Sequence, residues 1–310
     1  MTDAAPVPKV FVADQALTPP RNQWWDVWDQ FRTHKGAMLG MFVFAFICAA
    51  ILIGPYLWTL DPTRLDIKSK NQFSSWLHPM GTDQLGRDTF ARMLSGGRVA
   101  LAVGMTAMIL GMVIGTTVGV LAGYFRRLDG LLMRLTDLFL ALPLLPLLLV
   151  MMMLFREKLK SYLGPEGGTF ALIVIAIGVT SWMHTARVVR CDVLALKERE
   201  FVLASRSIGT PPRRMILRHI LPNVMSPIMV SASLGIANAM ITESVLSFLG
   251  LGFPPDFPTW GQLLFDGVPY LQQFPERVMW PGLAISFTVL SVNYIGDGLR
   301  DALDPRIRGR

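Results

Sequence analysis

The chain has 310 residues, of which 52% are hydrophobic and only 16% charged, with a formal net charge of +7. Ordinary soluble domains carry roughly 25% charged residues, so a soluble single-core protein is excluded, and the same hydrophobicity excludes disorder. Two cysteines, Cys48 in an apolar run and Cys191 in a basic segment, exclude a disulfide scaffold. The class left is an all-α polytopic membrane protein. In such a chain a positive balance reflects arginine-rich cytoplasmic loops rather than nucleic acid.

Residues 1–36 read as a polar cytoplasmic tail without a signal-peptide pattern. Within it, 22–35 (NQWWDVWDQFRTHK) sets Trp24, Trp28 and Phe31 on one helical face, with Trp25 beside it. Two readings stand: a helix lying in the membrane interface, or an elbow packed on neighbouring helices. About 20 mostly apolar residues cross a bilayer as a helix, and the unpaired backbone of any other conformation is excluded there. The first span is Ala37 to Trp58, with an external loop at 59–97. The others run from about Val99 to Tyr124, Leu131 to Phe155, Thr169 to Val189, Val224 to Leu251 and Met279 to Leu299, within a five-span core at 98–300; 301–310 is a second tail.

Six spans put both termini on one side. The segments on that side hold nineteen Lys and Arg against ten on the other, which places both termini in the cytoplasm. Gly104, Gly111, Gly115 and Gly119 form a small-residue ridge on the second span, suited to close packing within the chain or to a dimer seam.

Signatures of catalysis are missing. There is no G-x-x-x-x-G-K-[ST] loop for ATP, no G-x-S-x-G elbow, and no metal-binding spacing among His34, His78, His184 and His219. No cofactor or metal is therefore expected. Charged residues inside spans remain as candidates. Asp137 follows Arg134 by three residues and pairs with it on one helical face. Glu243 lies deep in the fifth span, facing a pathway or packing against another helix or subunit.

The segment at about 193–222, between the fourth and fifth spans, is the most informative. A first short helix covers about 193–207 and is closed by Gly209, which accepts a left-handed conformation. Thr210 then caps a second helix, with Pro211 at its first position, running to about His219. Pro222 follows. Arg213, Arg214 and Arg218 make this knob basic, and Met215, Ile216 and Leu217 give it an apolar contact surface.

This segment resembles the EAA loop of bacterial ABC importer permeases, whose pattern is E-A-A, three residues, G, nine residues, I-x-L-P. The match falls on Leu203-Ala204-Ser205, Gly209 and His219-Ile220-Leu221-Pro222 with its spacing intact; Leu203, Ser205 and His219 depart in identity. Gly81-Thr-Asp-Gln-Leu-Gly-Arg-Asp88, Glu243-Ser-Val-Leu-Ser-Phe-Leu-Gly-Leu-Gly252 with Pro254, Pro255, Pro258, Trp260 and Gly261 after it, and Asn293 to Arg306 narrow the resemblance. They are similar to the dipeptide/oligopeptide/nickel class, on the side of its second permease subunit (DppC/OppC-like). On the residues alone, Thr82 or Asp83 caps a short helix before the second span, Trp260 suits the outer interface, and Gly296 and Gly298 allow close packing or a bend.

The resemblance implies a type I ABC importer permease fold in the bacterial inner (plasma) membrane. It implies two ABC ATPase subunits, a homologous DppB/OppB-like permease and a periplasmic or extracellular substrate-binding protein as partners. The loop at Leu203, Ala204, Ser205, Gly209, Thr210, Pro211, Arg213, Arg214, Leu221 and Pro222 would be the coupling helix that docks on an ATPase. The cargo class is peptide, nickel, sugar or opine. The alternatives are an ion-gradient-driven secondary transporter and a membrane-bound enzyme.

Overall fold

The computed structural model describes residues 23–254 and 256–303. The expectations on the tail before residue 23, on the side chain of Trp24, on Pro255 and on 304–310 (Arg306 included) lie outside the described residues.

Helix α1 (Gln23–Thr33) leads into α2 (Lys35–Leu57), whose N-terminus is capped by His34 Nδ1 accepting from the Ala37 N–H at 2.9 Å. Buried Phe31 packs with Ala37 and Ala302. A Cβ on Gly298 would lie 2.3 Å from that of Ala37, so Gly298 serves close packing. Trp28 stacks on Phe31 at 5.9 Å, yet Trp25 and Trp28 are exposed. One face of α1 is therefore a packed elbow, and Trp25 and Trp28 turn outward.

Helix α3 (Thr89–Tyr124) starts well before the apolar run from Val99, because Asp88 caps it through the Ala91 N–H at 2.8 Å. Its first turns, expected in the external loop, are largely buried. Helix α4 (Arg126–Ala141) is amphipathic, and α5 (Leu144–Lys197) follows after Leu142 and Pro143. This corrects the third span: the chain breaks at Pro143, and the apolar run begins anew beyond it. The Arg134–Asp137 pair is also corrected. Asp137 bonds Arg187 of α5, while Asp129 holds Arg190 at 2.7 Å. The two bridges strap α4 to α5.

Helix α5 contains one non-helical residue, Gly164 (φ 79, ψ 169). A Cβ on Gly168 would meet the Leu159 carbonyl at 2.6 Å, so the chain folds back there. Leu148 and Met152 of the first arm (144–163) pack on Leu172, Ile173 and Ala176 of the second (165–197). Five described helices are long and apolar enough to cross a membrane. One of the five, α5, is the helix that doubles back at Gly164.

Three short or irregular pieces, α6 (Glu200–Ser207), α7 (Pro212–Met215) and a π-helical stretch Ile216–Ile220, lead through a 3₁₀ turn into α8 (Met225–Phe248). Helix α9 (Trp260–Gly267) and α10 (Glu276–Leu303) complete the chain. The glycine ridge of α3 seats the second arm of α5. A Cβ on Gly115 would lie 2.6 Å from the Trp182 carbonyl, and one on Gly119 2.6 Å from that of Ala186. The ridge is therefore used within the chain. Gly115→Val should cost about 1–3 kcal/mol through overpacking, read as a lower unfolding temperature of the purified protein.

Candidate functional site: an elbow, a cavity and a polar lock

The elbow is built by two backbone devices. Gly209 sits at φ +79. Its N–H bonds the Arg206 carbonyl at 3.0 Å, and the Thr210 N–H bonds that of Ser205 at 3.2 Å. This is a Schellman closure of α6, which requires a left-handed residue at that position. The cap of α7 differs from expectation: Pro211 is the N-cap and Pro212 the first helical residue. The Thr210 hydroxyl is turned back to the Ser205 hydroxyl at 3.0 Å instead. Ser205 also faces His219 Nε2 at 3.4 Å. Two residues that depart from the loop pattern, Ser205 and His219, thus meet each other.

The second device follows from Pro222, which has no N–H to offer the Arg218 carbonyl. The helix widens over Ile216–Ile220, the Leu221 N–H reaches the Ile216 carbonyl, and Asn223 Nδ2 donates to the His219 carbonyl at 2.7 Å. Such widened turns are frequent at functional sites. The elbow thereby becomes a rigid extension of α8 rather than a separate helix ending near His219.

Val202, Met215, Ile220 and Val224 pack with Val120, Val189 and Val193. Met215 is thus core, a correction to its expected outward role. What faces out is Leu203, Ile208 and Leu217, with Arg206, Arg213, Arg214 and Arg218 around them. Ile208 is 83% exposed. This is a compact apolar and cationic surface on a stiff base.

A cavity of about 610 Å³ opens between the end of α4, both arms of α5 and the middle of α8. Phe139, Leu142 and Leu147 form its apolar wall; Thr180, Ser181, His184, Ser231, Asn238 and Thr242 form its polar one. Its size lies in the range of small-molecule sites. The sequence alone gave no sign of it, since three separate elements meet there. The nearest signal was the polar spacing at 231, 238 and 242 inside an apolar run.

Glu243 is not on this cavity. It is fully buried, accepting from the Ser247 hydroxyl at 2.7 Å and the Ser244 hydroxyl at 3.4 Å, with Thr259 also bonded to it. It fastens the end of α8 to the N-cap of α9. Trp260, expected at the interface, is 2% exposed and donates to the Met93 carbonyl at 2.9 Å. Gly296 packs against Ser233, and Asp301 pairs with His34 at 3.7 Å.

Away from the elbow, the Gly81–Asp88 motif forms a buried polar lock. Asp83 does not cap a helix; it binds Arg87 at 2.6 Å and Arg92 at 2.7 Å, and Arg92 reaches Asp266 at 3.4 Å. Arg277 donates to the Thr82 carbonyl at 2.6 Å and lies 4.2 Å from the Phe274 ring centre. Asp88 also takes Trp58 Nε1 at 2.9 Å and faces His78 Nδ1 at 2.8 Å. Burial pushes the Asp83 carboxyl up, but the Arg87 N–H and the Arg92 and Arg87 charges prevail and hold it below the usual carboxylate value. Burial raises that of Asp266 against the pull of the same arginines.

Long apolar helices with a fold-back arm, an elbow and a cavity between α4, α5 and α8 are the frame, and the comparisons with known proteins give its class. The chain belongs to the family described as "Binding-protein-dependent transport system inner membrane component", matched over residues 89–309, from the first residue of α3 onward. Residues 22–78 match the "N-terminal TM domain of oligopeptide transport permease C". Similar relatives include the "Dipeptide transport system permease protein DppC" of Bacillus subtilis (strain 168), 38% identical and covering 96% of this chain and 90% of the relative. The "Oligopeptide transport system permease protein OppC" of the same organism is 36% identical over 92% of this chain and 90% of its own length. Among solved structures, the MetNI methionine ABC transporter in inward-facing form superposes with a TM-score of 0.54 at 19% identity, covering 67% of this chain and 95% of that chain. That likeness is one of fold. The chain groups with these OppC and DppC permease proteins.

Proposed function

We propose that the chain is one permease half of an ATP-driven importer of short peptides, seated in a bacterial inner membrane with both termini and the elbow in the cytoplasm. Its partners are a homologous permease, two ABC ATPase subunits and an external substrate-binding protein. The observation that carries this reading is the elbow: a mixed apolar and cationic surface on a stiff base, in a chain whose sequence has no ATP-binding loop. Leu203, Ala204, Ser205, Gly209, Thr210, Pro211, Arg213, Arg214, Leu221 and Pro222 form or support the ATPase contact. Because the elbow continues into α8, a push on it tilts the polar wall of the cavity. ATP binding to the partners biases a two-state change between inward-open and outward-open forms.

The test is peptide uptake into proteoliposomes that hold the assembled transporter. Uptake requiring ATP, the ATPase subunits and the binding protein together supports the reading. Uptake by this chain on a proton gradient alone, without ATPase subunits, overturns it.

A further inference from the structure

Asn238 stands near the middle of α8. Its side chain is exposed, and its carboxamide has no hydrogen-bond partner among the described residues; the Thr242 hydroxyl donates only to its backbone carbonyl, at 2.7 Å. A bare carboxamide at that depth is costly against lipid tails, since hydrocarbon offers it no partner. It needs water or a polar guest, and the cavity it lines has room for both. Ser231 and Thr242, seven residues before and four after, lie on the same helical face. Thr180 faces the same space; its hydroxyl donates to the Ala176 carbonyl at 2.8 Å, which leaves its lone pairs free to accept. No Asp, Glu, Lys or Arg is among the lining residues; His184 is the one titratable side chain there.

We propose that Asn238, with Ser231 and Thr242, is the solute-facing track of the translocation path, and that it handles short peptides through their backbone amides without regard to side-chain charge. The inference rests on the importer reading above. Hydroxyl acceptors beside a carboxamide that both donates and accepts match the N–H and C=O groups of a peptide bond. A conducting path must bind well enough to admit a solute and weakly enough, over several sites, to release it. Neutral hydrogen bonds meet that condition. A fixed charge in the same place would hold solutes of one sign and repel those of the other.

The experiment compares Asn238→Asp and Asn238→Lys in the fully assembled transporter in proteoliposomes, measuring ATP-driven uptake of tripeptides that differ only in a neutral, cationic or anionic central residue. Relative to wild type, Asn238→Asp should lower the anionic-to-cationic uptake ratio by at least about tenfold, and Asn238→Lys should raise it by a similar factor. An equal loss for all three peptides in both variants, as expected if Asn238 merely bonds a neighbouring subunit, overturns the proposal. A milder variant covers failed assembly. With Cys48→Ser and Cys191→Ser in the background, Asn238→Cys should react with a water-soluble thiol reagent, and peptide under turnover should slow that reaction. No reaction in any state overturns the proposal too. If wild-type uptake proved independent of ATP, the importer reading itself would fall and take this inference with it, whereas intact ATP-driven uptake without the charge bias sinks the inference alone.

Discussion

Gly209→Val should abolish ATP-coupled uptake while leaving the protein folded in the membrane. At φ +79 an L-residue meets its own carbonyl, at a cost of about 1–2 kcal/mol, and branching at Cβ adds to it. The space around Gly209 is open, with nothing within 4 Å of a Cβ, so crowding plays no part. The cost is relieved only by opening the Schellman closure, which lets α6 and α7 move independently. The force path into α8 is then lost, while the core at Val202, Met215 and Ile220 remains. Gly209→Asn is the control, because asparagine tolerates the left-handed conformation, and it should retain most of the coupling. Uptake and ATP hydrolysis measured side by side separate the outcomes: hydrolysis without uptake in the valine variant, both in the asparagine variant.

The largest effect on stability is expected at the polar lock. Arg92→Met removes one of the two arginines, with Arg87, that Asp83 and Asp266 share and leaves two largely buried carboxylates to a single cation, at a cost of about 3–5 kcal/mol. Adding Asp83→Asn should recover part of that loss, since the double variant leaves less charge unpaired. Chemical denaturation of the single and double variants checks both. The pH dependence follows from the same groups. The Asp83 carboxyl is held below its unfolded value, so its contribution is fully present above about pH 4 and is lost as pH falls through the folded value. Asp266 is shifted the other way by burial, so its ionisation opposes folding and its protonation is favoured in the native state. Fluorescence of Trp58, which donates to Asp88 beside the lock, should report the loosening as the pH falls below about 4.

Much of this architecture was legible because single residues dictate it. Gly209 and Pro222 each force a backbone state that few other residues allow, so the elbow could be placed from their spacing. The third span departs from expectation for a related reason. Pro143 interrupts it, but the apolar residues on either side read as one run, and the polar face made by Arg126, Arg127, Asp129, Arg134 and Asp137 belongs to an amphipathic helix, not a span. Helix α3 starts before its apolar run because the arginines of Thr89 to Arg98 find partners that the run does not show, Asp83 before the helix among them. Arg92 finds Asp266 174 residues on. Local chemistry favours Thr210 as the cap with Pro211 at the first helical position, but the Thr210 hydroxyl turns to Ser205 and the helix starts one residue later, at Pro212. The depth of Glu243 alone leaves a pathway role and a packing role both open. Its partners Ser244 and Ser247 were visible in the sequence, but Thr259 comes from a loop that only the fold brings near. Asn238 carries no signal of its own in the sequence, since one amide among apolar residues gains meaning only from the cavity it faces.

The central claim is that a motor outside this chain drives it through the elbow. Arg213→Cys, in a chain lacking Cys48 and Cys191, tests that claim most directly when the assembled transporter is treated with a short thiol crosslinker and ATPase subunits carrying single cysteines. Crosslinking to an ATPase subunit, with a yield that changes on ATP binding, is the predicted result. Labelling of that position only from the external side, with no adduct to an ATPase, would contradict it.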